Sequence, residues 1–438
     1  MDFSKYDDGF FAINETNGFL PQKDPLETLP AKYSQLQIIL DNLHELIKDK
    51  SKLELAVLSF PDYLEEIKSE SDIFIIQALF RGYAFLASAY LLQPAHLDQK
   101  DGIYGTARQI LPQNIAQPFE HVADKLQVFP YMEYHYAYSL GNYVKIDKTK
   151  DYNYDNLKMA CSFSGGADEN GFIMLHVDIV SKTAQLIQGI KTFLEGDRLD
   201  GLQLVLNASK EINQRRQQMW NASNYKNYNN FRAFIMGITG NEKIFGNGVL
   251  YEGCTNKELR TYRGQTGAQD DTIPTLDIFT GVVNYYPDND LTSYLLNLRQ
   301  YRPVVMQTFF NDLEQCTINY LTLSLECKKV LYLILTEIYN FRNGHWQFVQ
   351  KYIMSNTKYG TATGGTPIIS WIPNQIRSVL NYMLDVLVSI EIEDLPFYHD
   401  KYESLCERFN VLDRQQEELS HENYNPQKVH QLGQKFNE

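Results

Sequence analysis

Between residues 316 and 355 apolar side chains recur every three to four positions, and that period commits the stretch to a helix. Ile334, Ile338, Phe341, His345, Phe348 and Tyr352 share one stripe, so an imidazole sits on the face meant for the core. Similar patterns run over 171–195, 199–221, 271–285, 290–312 and 374–391, after an earlier helical region over 31–95. Pro94, Gly102 and Gly105 are expected to break that early pattern, and Pro118 falls near the start of a further helix. There is no internal repeat and no convincing run of alternating strands. With 438 residues, 44 % of them hydrophobic, the chain can bury a large core. The expected fold is mainly α, with a smaller N-terminal helical domain (1–150) packed on a large helical domain (151–411). Residues 1–30 are rich in turn formers and read as an extended arm. Residues 412–438 read as a polar tail, solvated or marginally ordered.

Charge and composition exclude several functions. A net charge of −14 leaves no basic face for nucleic-acid phosphates. The longest apolar run singled out, "VLYLIL" at 330–335, is far short of the roughly 20 residues that span a bilayer, so no membrane role is expected. The opening "MDFSKYDDGFF" is acidic and lacks the pattern of a signal peptide. Five cysteines are scattered without CxxC spacing, which argues against a disulfide framework, a zinc site or thioether attachment of a haem. A reduced, cytoplasmic protein is the expectation. Aromatic residues make up 13 % of the chain, 30 of them Tyr, which suits a bulky core and equally an aromatic-lined pocket.

The stretch "FRNGHWQFVQKYI" (341–353) admits two readings of His345. One is a packed histidine hydrogen-bonded to a neighbour. The other is a ligand. Arg342 lies one turn earlier, and Gly344, which costs a helix about 1 kcal/mol relative to Ala, would let a flat group approach the backbone. A haem iron needs one axial imidazole, and its propionates need cationic partners; His345 and Arg342 could meet both needs.

The same stretch, followed by "GTATGGT" (360–366), resembles the indoleamine 2,3-dioxygenase family, with its [LF]-R-x-x-H helix and downstream GTGGT loop. Further blocks agree in order: "ILPQNIAQPFEHVADKLQVFPYMEY" (110–134), "FSGGADENGFIMLHV" (163–177), "FRAFIMGITGN…GNGVLYEG" (231–253), "GQTGAQDDTIPTLDIFTGV" (264–282) and "LRQYRPVVMQTFF" (298–310). The resemblance covers roughly residues 100–385. It implies a haem-dependent dioxygenase that inserts O2 across the C2–C3 bond of tryptophan or a related indole amino acid. It also implies haem b, O2 as co-substrate and an electron donor that keeps the iron ferrous.

Carried over residue by residue, the resemblance makes His345 the iron ligand, Arg342 a propionate neighbour and Asp277 the partner of Arg342. Arg232 takes the place of the arginine that holds the substrate carboxylate, a task suited to a bidentate guanidinium. Thr266 matches a serine at the haem edge. Thr363, Gly364, Gly365 and Thr366 match a mobile loop that closes over substrate, for which a phosphate-cradling loop is the competing reading. Tyr134, Tyr138, Cys161 and Phe172 become pocket walls. His176 departs from the family's pattern, standing where mammalian members have a serine, and becomes a candidate catalytic residue above the iron. Asn227, Tyr228 and Gln265 also depart, and imply a more polar pocket. These departures keep two alternatives open. One is a tryptophan-modifying haem enzyme of bacterial secondary metabolism, like monodechloroaminopyrrolnitrin synthase; the other is a haem-binding protein without turnover.

Overall fold

The computed structural model describes residues 1–100, 103–354, 368–421 and 425–434. The fold is mainly α, and the described strands are two or three residues long and pair in twos.

The centre of the N-terminal half is α1, Ile73–Leu97, capped by the Asp72 carboxylate, which accepts from the backbone N–H of Phe74 and Ile75. By length and composition α1 could cross a membrane, contrary to the sequence-based expectation that no such segment exists, but 89 % of its apolar window is buried inside the protein. Its polar side chains hold other backbone. Gln77 Nε2 donates to the carbonyls of Tyr136 (2.6 Å) and Gly141 (2.8 Å), and Arg81 donates to those of Gly141 and Leu26. These bonds fix the π-turn Tyr134–Tyr138. Pro94 does not end the helix as expected. The Tyr90 carbonyl, which a proline cannot serve, accepts from Arg108 Nη1 at 2.5 Å instead.

Helix α2 (Gln113–Leu126) carries Pro118 and packs against α1. The first thirty residues are irregular but lie in the core rather than extending from it. Phe10, Phe11, Ile13 and Phe19 are buried, and Tyr6 donates to Asp312 at 2.7 Å. The boundary expected near residue 150 falls in the loop of a hairpin, whose strands Tyr143–Lys145 and Leu157–Met159 pair across it.

The second half is built from α3 (Ala167–Val180), α4 (Thr183–Leu194), α5 (Arg198–Arg216) and α6 (Thr272–Thr280). It continues with α7 (Asp290–Arg299), α8 (Val304–Glu314), α9 (Leu325–Phe348) and α10 (Ile368–Glu391). The single helices expected over 171–195 and 290–312 are each broken in two, the latter at Pro303, whose missing N–H and fixed φ suit a helix start. The helix expected from 316 begins only at Leu325, where Ser324 caps it, and passes into a π-turn, Val349–Met354. Helix α9 packs between α5 and α10.

The described residues of the expected polar tail are mostly helix. Helix α11 (Leu395–Leu419) runs through residue 412 and buries Leu405, Leu412 and Gln415, and α12 (Pro426–Gly433) buries Val429 against it. Few apolar residues at helical spacing were enough, because each meets the already formed face of α10 or the π-turn.

Candidate functional site

His345 lies in the last turn of α9, among buried neighbours Gly344, Trp346 and Gln347. Its own side chain retains open surface. Yet burial, reinforced by the Arg216 cation, pushes its imidazole down to about 4. An imidazole with open surface that is nonetheless crowded by protein lies in a hollow of the surface rather than on a convex face. His176 on α3 behaves alike. It is partly open, and burial together with the charge of His345 holds it at about 4. The two imidazoles sense each other across one space, and both are neutral near pH 7.

The walls on the His176 side are aromatic. The Phe172 ring lies 5.5 Å from His176, 5.0 Å from Tyr228 and 5.9 Å from Phe231. Tyr134 meets His176 edge-on at 5.8 Å and donates its hydroxyl to Asp270 at 3.0 Å. The Thr266 hydroxyl and Gln269 side chain form a capping box around the turn Gly267–Gln269. This brings Gly267 so near His176 that a methyl there would touch Cε1 at 3.6 Å.

A buried ionic cluster braces this loop. Asp271 accepts from His135 Nε2 at 2.7 Å and from Arg302 Nε at 2.8 Å. Burial alone would neutralise His135, but Asp271 and Glu133 overcome it and hold the imidazole at about 9. Sequence reading missed the cluster, since its members are far apart along the chain.

Arg232 is fully buried in the short helix Asn229–Arg232, beside Tyr228. Two contacts bring it there. Helix α3 passes so close to residue 222 that a Cβ on Gly171 would collide with the Ala222 carbonyl. Asp168, in the first turn of α3, accepts from the Asn224 N–H (2.6 Å) and Asn227 Nδ2 (2.7 Å). Asn227 is therefore exposed and tied to Asp168, and does not make the hollow more polar as expected. Tyr138 and Cys161 are buried in the core: Tyr138 donates to Glu169 at 3.2 Å and packs on Phe85 and Phe163, while the Cys161 thiol lies against Arg81. Thr363, Gly364, Gly365 and Thr366 lie outside the described residues.

Behind His345, Arg342 Nη2 meets Asp277 Oδ2 at 2.5 Å and its Nη1 donates to the Gln375 carbonyl at 3.0 Å. Tyr286 donates to the same carboxylate oxygen. Burial raises Asp277 and the guanidinium pulls it back; an arginine keeps its charge here because the carboxylate and Tyr286 outweigh its own burial. Asp277 Oδ1 and Arg342 Nε are buried and have no hydrogen-bond partner among the described residues. Gly344 clears space for a different group than its sequence context implied. A Cβ there would collide with the guanidinium of Arg216, not with the hollow.

One open imidazole facing a desolvated space, aromatic walls and a paired arginine behind fit a flat, largely apolar group with one axial nitrogen ligand and acidic edges, as in a haem. The comparisons with known proteins agree. The family model for indoleamine 2,3-dioxygenase matches residues 8–369. Rat indoleamine 2,3-dioxygenase 1 is 25 % identical over 411 residues, covering 86 % of this chain and 95 % of the rat protein. The indoleamine 2,3-dioxygenase of Saccharomyces cerevisiae is 26 % identical over 386 residues, 80 % of this chain and 81 % of its own. The 6-hydroxytryptophan 2,3-dioxygenase of Fusarium equiseti is 25 % identical over 319 residues, 69 % and 73 % respectively. With the family model matching four-fifths of its length, this chain belongs to the indoleamine 2,3-dioxygenase family.

Proposed function

We propose that the protein is a haem-dependent dioxygenase that inserts both atoms of O2 across the indole C2–C3 bond of tryptophan or a related indole amino acid, giving an N-formylkynurenine-type product. Both oxygen atoms end in the product, so turnover needs no net electrons; a donor serves only to keep the iron ferrous. The observation that carries the reading is the placement of His176, set against Phe172 and Tyr134 beside the Gly267 turn and within electrostatic reach of His345 on α9.

Haem b held by His345 would supply the activation of dioxygen; Arg342 is the residue that would neighbour a propionate, with Asp277 as the partner that holds its guanidinium. The chain itself binds and orients the indole. Arg232 grips the carboxylate through a planar, bidentate guanidinium. Phe172, Tyr228 and Phe231 flank the ring and keep water out. His176, neutral at pH 7, accepts the indole N–H at whichever ring nitrogen is unprotonated. Thr266 caps the turn whose Gly267 meets His176 and takes the place of the family's serine at the cofactor edge. The chain acts in the cytoplasm on a small molecule, without nucleic-acid or membrane partners.

His176 favours a second outcome with the same binding mode: a ring-substituted indole, whose added polar group the imidazole would meet. The discriminating experiment is a visible spectrum of haem-loaded, reduced protein with and without L-tryptophan under air. Growth of N-formylkynurenine absorbance supports the proposal. A perturbed haem spectrum without product shifts it to a substituted indole or another oxidation. A Soret band unchanged in His345→Ala removes His345 as ligand.

A further inference from the structure

Arg216 ends α5 and is buried against α9. Its guanidinium occupies the space over Gly344, the residue before His345, which no side chain with a Cβ would leave open. The rings of Phe341 and Phe348 lie 5.8 Å and 5.6 Å from its Cζ. Among the described residues its hydrogen bond is a long one, from Nε to Asn213 Oδ1 at 3.4 Å. Among the described residues no carboxylate forms an ion pair with it. The charge acting against its own is that of Glu337, and the Asn213 amide holds that carboxylate, donating to its Oε2 and to its carbonyl, each at 2.8 Å. Burial draws Arg216 down only to about 10, so it remains a cation at neutral pH. Arg342 differs, because Asp277 neutralises it at 2.5 Å. Among the described residues Arg216 is thus a buried cation packed on the residue before His345 and held in no ion pair.

A fixed cation in a desolvated site penalises whichever bound state carries more positive charge. Ferric haem carries one positive charge more than ferrous haem. We propose that Arg216 is a positioning residue that holds the iron bound at His345 in its ferrous form by raising its reduction potential, with Gly344 retained to admit the guanidinium. The inference rests on His345 being the ligand. It makes the chain itself, in part, the device that limits dependence on an external reductant.

The test is the midpoint potential of haem-loaded protein, read from the Soret band in an equilibrium redox titration. Arg216→Met removes the charge and keeps much of the volume. It should lower the ferrous:ferric ratio at fixed potential at least tenfold, about 59 mV for one electron. Arg216→Lys, which keeps the charge, should stay within about threefold of the parent, whereas a packing role would leave Lys as impaired as Met. Glu337→Gln provides a test of opposite sign that leaves Arg216 in place. It removes the opposing carboxylate while preserving a hydrogen-bond acceptor for Asn213, and should raise the potential. If Arg216→Met does not fold, Glu337→Gln decides alone. An unchanged midpoint in Glu337→Gln, or in a folded Arg216→Met with an intact Soret band, overturns the inference. Neither result touches the assignment of His345, which stands or falls on the His345→Ala spectrum.

Discussion

The two sides of the hollow are built on opposite principles. On the His345 side the polar groups are charges: Arg342 against Asp277, and Arg216 over Gly344. On the His176 side they are rings, with Phe172 and Tyr134 against one neutral imidazole and Tyr228 and Phe231 packed on Phe172. The ions of that side, Asp271 with His135 and Arg302, sit one layer back and hold the loop instead of facing the space. The division suits a charged, flat cofactor lying between a ligating side that must balance its charge and a reacting side that must exclude water. Charges are costly to bury unless paired, so each side tolerates them only where a partner or a bound group completes them.

That contrast breaks most severely at Asp277. Asp277→Ala strands Arg342 in the interior, and the apoprotein should lose about 3–5 kcal/mol of stability in urea unfolding. Adding Arg342→Met should restore much of it, and no restoration would mean that the pair is not the source. The layer behind the opposite side has a pH signature. His135 sits at about 9 in the folded state against an ordinary histidine value when unfolded, so its contribution is complete below the unfolded pKa, near 6.5. It is lost as pH rises through 9, at most about 3 kcal/mol from the size of that shift. Unfolding midpoints between pH 6 and 9.5 should fall in the parent and run flatter in His135→Asn; parallel curves would rule this out.

Smaller effects belong to the reacting side. Arg232→Ala should lower kcat/KM for tryptophan by about a hundredfold, the loss of roughly 3 kcal/mol of charge-assisted binding, while indoles without a carboxylate are spared. Equal losses for both would remove the clamp. His176→Ser should weaken binding of the indole by about tenfold or less, since one neutral hydrogen bond is at stake, and should leave the Soret band in place. If the Soret band of the ferric protein shifted to that of a five-coordinate haem instead, His176 would be a second iron ligand and the contrast between the two sides would be false.

How much of this was legible in the sequence follows from the range of each interaction. The helix bearing His345 was readable because its period is local, but its start behind the Ser324 side-chain cap and the break at Pro303 were not, because the apolar period runs on across both. Pro94 misled, because the donor that serves the freed Tyr90 carbonyl comes from Arg108, outside the helix. The tail misled too, since its few apolar residues are sufficient only against a face already assembled. The resemblance named Asp277 as the partner of Arg342, but its 2.5 Å approach and Tyr286's share in it belong to the packing of α6 on α9.

By itself, then, the sequence determined a mainly α chain, a histidine on a core-facing stripe and an ordered set of family segments, because periodicity, capping and motif order are properties of neighbours along the chain. The tertiary structure decided which groups share the hollow and which charges go unanswered. Gly344 shows the difference most plainly: in sequence it is a gap beside a histidine, and only the crossing of α5 over α9 reveals that a guanidinium fills it.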